Sequence, residues 1–543
     1  MQDILLGNDL VLECCSQERL KATQAWKALE KARDSGCRIW IYSGAVSGLV
    51  RDLALELSRQ SAQKGEGHAE MQLEQARQAI RNFSRDKHWL ATLTEDCLEL
   101  EHADFEARQL IKALQRLQSG ALLLTRKQDL LKEFDQACTP EAFLQENKQE
   151  RPLQLVDLGR QQQEIRPELE RRIFQVLTHN KYVMGPEVAE LEKELAAYTG
   201  SRHCLSCGSG TDALLLALLA LDIGPGDAVL TTSFTFIATA EAIALLGATP
   251  VFVDIQPGSF NLDPAQLEPA LQALKDMDSA WYPLPRQALE KKLNPKAILA
   301  VDLFGLPCDY SVLQETANRH DLALVLDAAQ SFGATYQGKQ SCSWGDVAAT
   351  SFFPAKPLGC YGEGGAVFCQ SEKWAQKMAS IRNHGQGRAR YEHVRLGLNA
   401  RLDTLQAAVL LAKLQGFEQE IASRNQAVQW YNSRLDKCSV LQTPQVPNGL
   451  RSVWAQYSLL AREEDSRQGM LQALSEKGLP YAIHYPLPLH LQKAFHYLGY
   501  QQGDFPVAED SARRIFSLPI HPYLQKEEVD RVVDCILGGK EGA

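Results

Sequence analysis

The chain lacks any long hydrophobic run. Its longest apolar stretch, 213–221, is bracketed by Asp212 and Asp222 and falls far short of the ~20 residues that a membrane-spanning helix needs. It also lacks an excess of positive charge: 57 basic side chains stand against 67 acidic ones, for a net charge of −10. Broad affinity for nucleic acid or anionic lipid is therefore not expected, although a local basic patch is compatible with that balance. The opening residues carry acid, Asp3 and Asp9, where a secretory signal carries base, so no such signal is expected. A disulfide or zinc framework is missing as well. The 13 cysteines are an odd, scattered set in which Cys204-Leu-Ser-Cys207 has no second such pair nearby. Reduced thiols in a cytoplasmic protein, with no metal centre, are expected. What is present is ordinary globular composition, 45% hydrophobic and 23% charged, which excludes wholesale disorder. The 543 residues exceed one compact domain and suggest roughly three or four units.

One seam is legible. Residues 138–151 lose periodicity and become polar and charged in their second half, which places a linker at 145–152. Before it, short apolar runs at 4–6, 38–42 and 121–125 read as buried strands, and 53–60 and 105–117 as helices. That alternation predicts a small α/β domain with a parallel sheet over 1–144. After the seam, strands are expected at 203–207, 228–231, 250–254, 297–302 and 322–327, with a helix over 212–221. Together 153–415 forms a large, mostly parallel α/β domain. Beyond residue 416, long helices and an aromatic- and proline-rich segment predict a smaller subdomain over 416–543. The polar stretch 275–292, with Pro283 and Pro285, reads as a surface insertion.

Three signals carry chemistry. Gly208-Ser-Gly-Thr-Asp212 lies between a strand and a helix, where glycines let backbone N–H groups close around a phosphate at a helix N-terminus; such turns also serve purely structural ends. The strand Val325-Leu-Asp-Ala-Ala-Gln-Ser331 reaches Asp327, a carboxylate that must be paired if buried. A helix cap or an ion pair would satisfy it, and so would a cationic ring nitrogen. Lys356 stands in Ser351-Phe-Phe-Pro-Ala-Lys-Pro-Leu-Gly359, an apolar, proline-braced setting that lowers an amine's pKa and frees it to attack a carbonyl. A phosphate cradle, a carboxylate for a pyridinium nitrogen and a Schiff-base lysine are together what pyridoxal phosphate requires.

From about residue 153 to 524 the chain resembles the DegT/StrS-type sugar aminotransferases, which have fold type I among pyridoxal-phosphate enzymes. The motifs are Met184-Gly-Pro-Glu-Val-Ala-Glu-Leu-Glu192, Gly208-Ser-Gly-Thr-Asp-Ala-Leu214, Thr235-Phe-Ile-Ala-Thr239, Asp327-Ala-Ala-Gln-Ser331, the Lys356 segment and Asn399-Ala-Arg-Leu-Asp-Thr-Leu-Gln-Ala407. The resemblance implies that Lys356 forms the Schiff base and Asp327 pairs with the pyridine nitrogen. It also implies that Gln330 lies against the ring face or its 3-hydroxyl side, that Phe236 stacks on the opposite face, and that Gly210, Thr211 and Ser351 hold the phosphate. Asn399 would reach the phosphate of a second subunit, making the enzyme a homodimer with shared sites. Lys356, once released, would act as the base that moves the substrate proton.

Ile381-Arg-Asn-His-Gly-Gln386, Ala482-Ile-His-Tyr-Pro-Leu-Pro-Leu-His-Leu-Gln492, Gly503-Asp-Phe-Pro-Val-Ala-Glu509 and Leu518-Pro-Ile-His-Pro-Tyr523 are similar to the UDP-2-acetamido-2-deoxy-3-oxo-glucuronate aminotransferases of surface-polysaccharide biosynthesis. That similarity implies a keto nucleotide sugar as acceptor and glutamate as donor. Both bring carboxylates, and Arg401, His384, His484 and Tyr485 are the candidates to bind them. A 4-keto acceptor is the alternative within the family. A sister class removes a sugar hydroxyl instead, but there the Schiff-base lysine is replaced, typically by histidine, and here Lys356 is present. Asp302, in Val301-Asp-Leu-Phe-Gly305, stands where many relatives have another polar residue.

The first 144 residues resemble a PIN domain in Ile4-Leu-Leu-Gly-Asn-Asp-Leu-Val-Leu-Glu13, His102-Ala-Asp-Phe-Glu-Ala-Arg108, Leu122-Leu-Leu-Thr-Arg-Lys127 and Thr139-Pro-Glu-Ala-Phe-Leu144. Working PIN domains are metal-dependent ribonucleases that converge three or four carboxylates on divalent ions. Here Gly7 and Lys127 stand where acids are needed, no acid follows Tyr42 in Ser-Gly-Ala-Val, and only Asp104 and Glu106 remain. A catalytically inactive interaction module is therefore expected, with the ribonuclease as its alternative.

Overall fold

The computed structural model describes residues 152–538, except residue 390, and five short strands in the segment before them. The chain divides into two units, Met1–Arg151 and Pro152–Ala543. In the first, strands Leu90–Thr92, Arg38–Ile41, Asp3–Leu6, Leu122–Leu124 and Ala137–Cys138 lie side by side in that order, all parallel. The described parts of the apolar runs at 4–6, 38–42 and 121–125 thus fall in strands, and the sheet is parallel. The helices expected at 53–60 and 105–117, and Gly7, Tyr42, Asp104, Glu106 and Lys127, lie outside the described residues.

The second unit is built on a seven-stranded sheet. Its strands are β1 (His203–Cys207), β2 (Asp227–Thr232), β3 (Thr249–Val253), β4 (Asn294–Val301), β5 (Ala323–Asp327), β6 (Val347–Ser351) and β7 (Gly365–Cys369). The order is β1-β7-β6-β5-β4-β2-β3. Only β7 runs antiparallel to its neighbours. The strands are nearly continuous apolar runs because both faces are covered, as parallel sheets require. Separate buried clusters line the two faces, one holding Leu230, Phe252 and Leu326, the other Val229, Leu299 and Val325.

Two consequences position the site. The carboxyl ends of β5 and β6 carry Asp327 and Ser351 at one edge, where ligands bind in such sheets. Antiparallel β7 begins at that same edge, with Gly365 opposite both Ser351 and Cys207. The neighbouring helices are α1 (Leu158–His179), α2 (Gly210–Ala220), α3 (Ala238–Leu245), α4 (Glu372–Arg382) and α5 (Thr404–Leu414). α2 starts two residues before the expected position, because the Ser209 hydroxyl accepts from the Asp212 N–H at 3.0 Å and caps it. β6 and β7 were not among the expected strands. The 275–292 stretch departs from a plain surface insertion: it forms a short helix, Arg286–Glu290, and buries Tyr282, Leu284 and Ala288.

A second core lies toward the C-terminus. Strands β8 (Leu441–Gln442), β9 (Tyr457–Ala461) and β10 (Ile515–Leu518) form an antiparallel sheet. It packs with α6 (Phe417–Leu435), α7 (Glu464–Glu476), α8 (Pro506–Arg514) and α9 (Lys526–Gly538). Tyr431 and Tyr457 stack within this core, ring centres 4.7 Å apart. The segment before α8 is tied back to the large sheet. Leu489 N–H donates to the Ser233 carbonyl at 2.7 Å, and the Asp254 carboxylate accepts from Val507 and Ala508 at 3.0 and 2.9 Å. A carboxylate at a helix N-terminus meets both orphan amides and the positive end of the dipole. Among the described residues no helix is long and apolar enough to cross a membrane.

Candidate active site

Asp327 ends β5 and is 5% exposed. One carboxylate oxygen accepts from Thr239 Oγ1 at 2.7 Å, the other from the Ala329 N–H at 3.1 Å. Burial pushes its pKa up, while these two bonds and the charge of Lys356 pull it down. Lys356 lies on the turn after β6. Burial lowers its amine, and Asp327 opposes that shift. Neutral amine is thus more accessible there than on an exposed lysine. Thr239, on α3, was quoted within a motif but given no role by the sequence reading. Its bond to a residue 88 positions away has no local sequence signal.

The candidate phosphate cradle is a place of close backbone approach. A Cβ on Gly210 would lie 2.7 Å from Ser351 Cβ, and one on Gly365 would lie 2.4 Å from the Ser209 carbonyl oxygen. Only glycine at both positions lets the ends of β6 and β7 close on the N-terminus of α2. The amides of that first turn, at Gly210 and Thr211, have no acceptor within the helix, and Gly210 lies against Ser351; a helix N-terminus of this kind suits an anion.

Around it, Gln330 is 4% exposed and its amide is oriented at both ends. Its Oε1 accepts from the Phe304 N–H at 2.6 Å, and its Nε2 donates to the Tyr485 hydroxyl at 3.2 Å. Tyr485 packs 6.4 Å from the ring of Phe236. Burial holds its phenol up at about 12. His484 Nδ1 lies 3.0 Å from Ser517 Oγ. Burial and then the Lys356 charge push its pKa down, so a neutral imidazole is favoured. Arg401 donates from Nε to Asn399 Oδ1 at 2.9 Å, and the Gly208 N–H donates to the Ala400 carbonyl at 3.2 Å. The Asn399–Arg401 strip therefore borders the cradle. His384 lies beside that strip, where Asn383 forms a backbone bridge with Asn399. It is exposed, takes a left-handed φ of 57°, and bonds through its backbone to Leu398 and to the His393 ring.

Asp302 is fully buried beside this edge. Its own N–H donates to the Asp327 carbonyl at 3.1 Å. Its carboxylate accepts from the Cys308 N–H at 2.9 Å, from Ser331 Oγ at 2.6 Å and from the Tyr310 hydroxyl. Burial raises it to about 6 against these bonds. Sequence reasoning noted Asp302 without finding what it touches.

A lysine with a lowered pKa, a buried carboxylate within its electrostatic reach and a glycine-lined helix N-terminus fit pyridoxal phosphate. Comparison with known proteins agrees. The chain is 43% identical over 377 residues, 69% of its length and 97% of the relative's, to the UDP-2-acetamido-2-deoxy-3-oxo-D-glucuronate aminotransferase of Pseudomonas aeruginosa. A DegT DnrJ EryC1 StrS aminotransferase from Brucella abortus superimposes with a TM-score of 0.66 at 44% identity, covering 71% of this chain and 99% of that one. A sugar aminotransferase from Streptococcus pneumoniae, solved in its PLP form, superimposes with a TM-score of 0.61 at 26% identity, covering 69% and 96%. The profile of the DegT/DnrJ/EryC1/StrS aminotransferase family matches residues 163–537. The chain belongs to that family.

Proposed function

We propose that this aminotransferase moves the amino group of glutamate onto a keto nucleotide sugar of the UDP-2-acetamido-2-deoxy-3-oxo-glucuronate kind, with pyridoxal phosphate as cofactor and a role in surface-polysaccharide biosynthesis. The observation that carries the chemistry is the Lys356–Asp327 pair at the carboxyl edge of the sheet, each shifted by burial and partly restored by the other's charge. The 43% identity to the Pseudomonas aeruginosa relative across nearly its whole length supports the choice of sugar.

When bound, pyridoxal phosphate supplies an aldehyde to carry the amino group and a ring that draws electrons from the carbon losing its proton. Gly210, Thr211 and Ser351 bind the phosphate. Asp327, held by Thr239 and Ala329, keeps a proton on the ring nitrogen. Gln330 and Phe236 bracket the ring from its two sides. Lys356, as free amine, takes the substrate proton and returns it to the receiving carbon. Arg401, with its carboxylate-matching fork, and His484, Tyr485 and His384 receive the carboxylates of donor and acceptor.

A second copy of the chain completes this site in the proposal. Asn399 is solvent-exposed, as a contact with a second copy requires, and large apolar side chains are exposed elsewhere among the described residues, Phe174 at 70%, Phe353 at 47% and Leu396 at 95%. The eight cysteines from Cys204 onward are all free, in keeping with the cytoplasmic setting proposed. The first unit is proposed as a PIN-like interaction module.

Purified protein incubated with glutamate and a panel of 3-keto and 4-keto nucleotide sugars tests the proposal by mass spectrometry. A 3-amino product from the uronate with stoichiometric 2-oxoglutarate is expected. Exclusive amination of a 4-keto sugar, or loss of a hydroxyl without gain of an amine, overturns it.

A further inference from the structure

The loop bearing Lys356 is fastened at one point by a buried amine that the proposed mechanism does not use. The loop leaves β6 at Ser351 and returns through Cys360 to Gly364, and Phe352 on the outgoing arm pairs twice with the return arm. The Phe352 carbonyl accepts from the Cys360 N–H, and the Phe352 N–H donates to the Gly364 carbonyl. The outgoing arm is continuous with a sheet strand. The return arm contains Gly359, Gly362 and Gly364 and has no strand of its own until β7.

α5 supplies what the return arm lacks. Lys413 is 2% exposed, and its Nζ donates to the Gly359 carbonyl at 2.6 Å while lying 4.3 Å from the centre of the Tyr361 ring. Two helical turns earlier on the same face, Gln406 Oε1 accepts from the Tyr361 N–H at 2.9 Å. Two side chains from one rigid helix thus grip consecutive parts of one arm. The grip is tight where it matters, since a Cβ on Gly359 would lie 2.5 Å from the Pro354 carbonyl and 2.6 Å from that of Phe353. Those carbonyls belong to the turn that leads into Lys356, whose own N–H donates to the Phe353 carbonyl at 2.8 Å. Burial pulls the Lys413 amine down to about 8, while Glu420 and the Cys360 thiol pull it up. A partly charged donor on a buried carbonyl makes a strong bond.

Resting on the pyridoxal-phosphate reading of the site, we propose that Lys413 and Gln406 are positioning residues: they hold the 359–361 arm so that the Lys356 amine stands where the cofactor aldehyde arrives. Neither touches the reacting atoms.

The test is the rate at which the apoenzyme captures pyridoxal phosphate. The Lys356 amine adds to the aldehyde and water leaves, so the reaction is followed by absorbance, locked with borohydride and located by peptide mass spectrometry. With pyridoxal phosphate in excess, the pseudo-first-order capture constant is compared under conditions where circular dichroism shows each variant fully folded, so loss of stability alone does not change it. Lys413→Met and Gln406→Leu are each expected to slow capture about tenfold, less than the hundredfold that a ~1 Å misplacement can cost. Gln406→Glu, which keeps the acceptor for Tyr361, is expected to stay within about twofold of wild type. Per bound cofactor, kcat should fall while the KM for the amino donor holds, because Lys356 and not the substrate pocket is disturbed.

Capture by folded Lys413→Met at the wild-type rate overturns the proposal. If Lys413→Met does not fold, Gln406→Leu decides in the same way. If neither folds, the two residues belong to the structure alone and the proposal falls. Wild-type protein that captures no pyridoxal phosphate at Lys356 instead refutes the reading of the site itself.

Discussion

Replacing Asp302 with asparagine should stabilise the protein at neutral pH. The carboxyl is fully buried, and its pKa is raised to about 6 by that burial, against ~3.9 in an unfolded chain. A carboxyl raised on folding holds its proton more tightly in the native state. Its contribution is therefore complete below the unfolded value and is lost as pH rises through about 6. With a shift of roughly two units, the loss amounts to ~1.5 kcal/mol at pH 5 and ~3 kcal/mol at pH 7.5. Asparagine mimics the protonated acid. Its Oδ1 can keep the Cys308 N–H, and its Nδ2 can donate to Ser331 or Tyr310, whose hydroxyls turn to accept. Asp302→Asn should thus be about 3 kcal/mol more stable than wild type at pH 7.5, with the gap halving by pH 5. Asp302→Ala should be less stable throughout, because Tyr310, Ser331 and the Cys308 N–H all lose their acceptor, at ~1–3 kcal/mol for each buried group. Guanidinium unfolding of the apoprotein at several pH values measures this. Subtracting variant from wild type cancels the other carboxyls raised by burial, Asp212, Asp254, Asp327 and Asp346. A gap that does not widen with pH, or an asparagine variant less stable than wild type at pH 7.5, refutes the reasoning.

Asp327→Asn should lower kcat on the order of a hundredfold while cofactor affinity, measured by absorbance titration, changes little, because the phosphate cradle is untouched. Gly210→Ala should do the reverse: its Cβ would press on Ser351, so pyridoxal-phosphate affinity should fall at least about tenfold with the fold retained by circular dichroism. Mixing inactive Lys356→Ala with inactive Asn399→Ala protomers should restore about a quarter of wild-type activity, since half the dimers formed by random exchange are hybrids with one intact site each. No activity in demonstrated heterodimers argues against a shared site.

What the sequence disclosed and what it withheld divide along a physical line. Asp327 could be picked out because a carboxylate closing an apolar run has to be satisfied. Lys356 could be picked out because prolines and phenylalanines are poor company for a solvated amine. In both cases the local surroundings pose the chemical demand. The partners that answer it are set by topology. Thr239 reaches Asp327 across 88 residues, Ser331 reaches Asp302 across 29, and Lys413 reaches Gly359 across 54. No periodicity encodes such distances. The sheet shows the same division. Strands β2 to β5 are long apolar runs between turns and were expected to within a few residues, whereas β6 and β7 were hidden beside the motif of the Lys356 loop. Antiparallel β7 is the costliest omission, since its first residue, Gly365, sits opposite Ser351 and Cys207, at the proposed phosphate cradle. Residue chemistry names the groups that must be answered, and the crossing of strands decides which residues answer them. Positioning residues such as Lys413 are the last to become legible, because their demand and its answer both lie outside the reacting set.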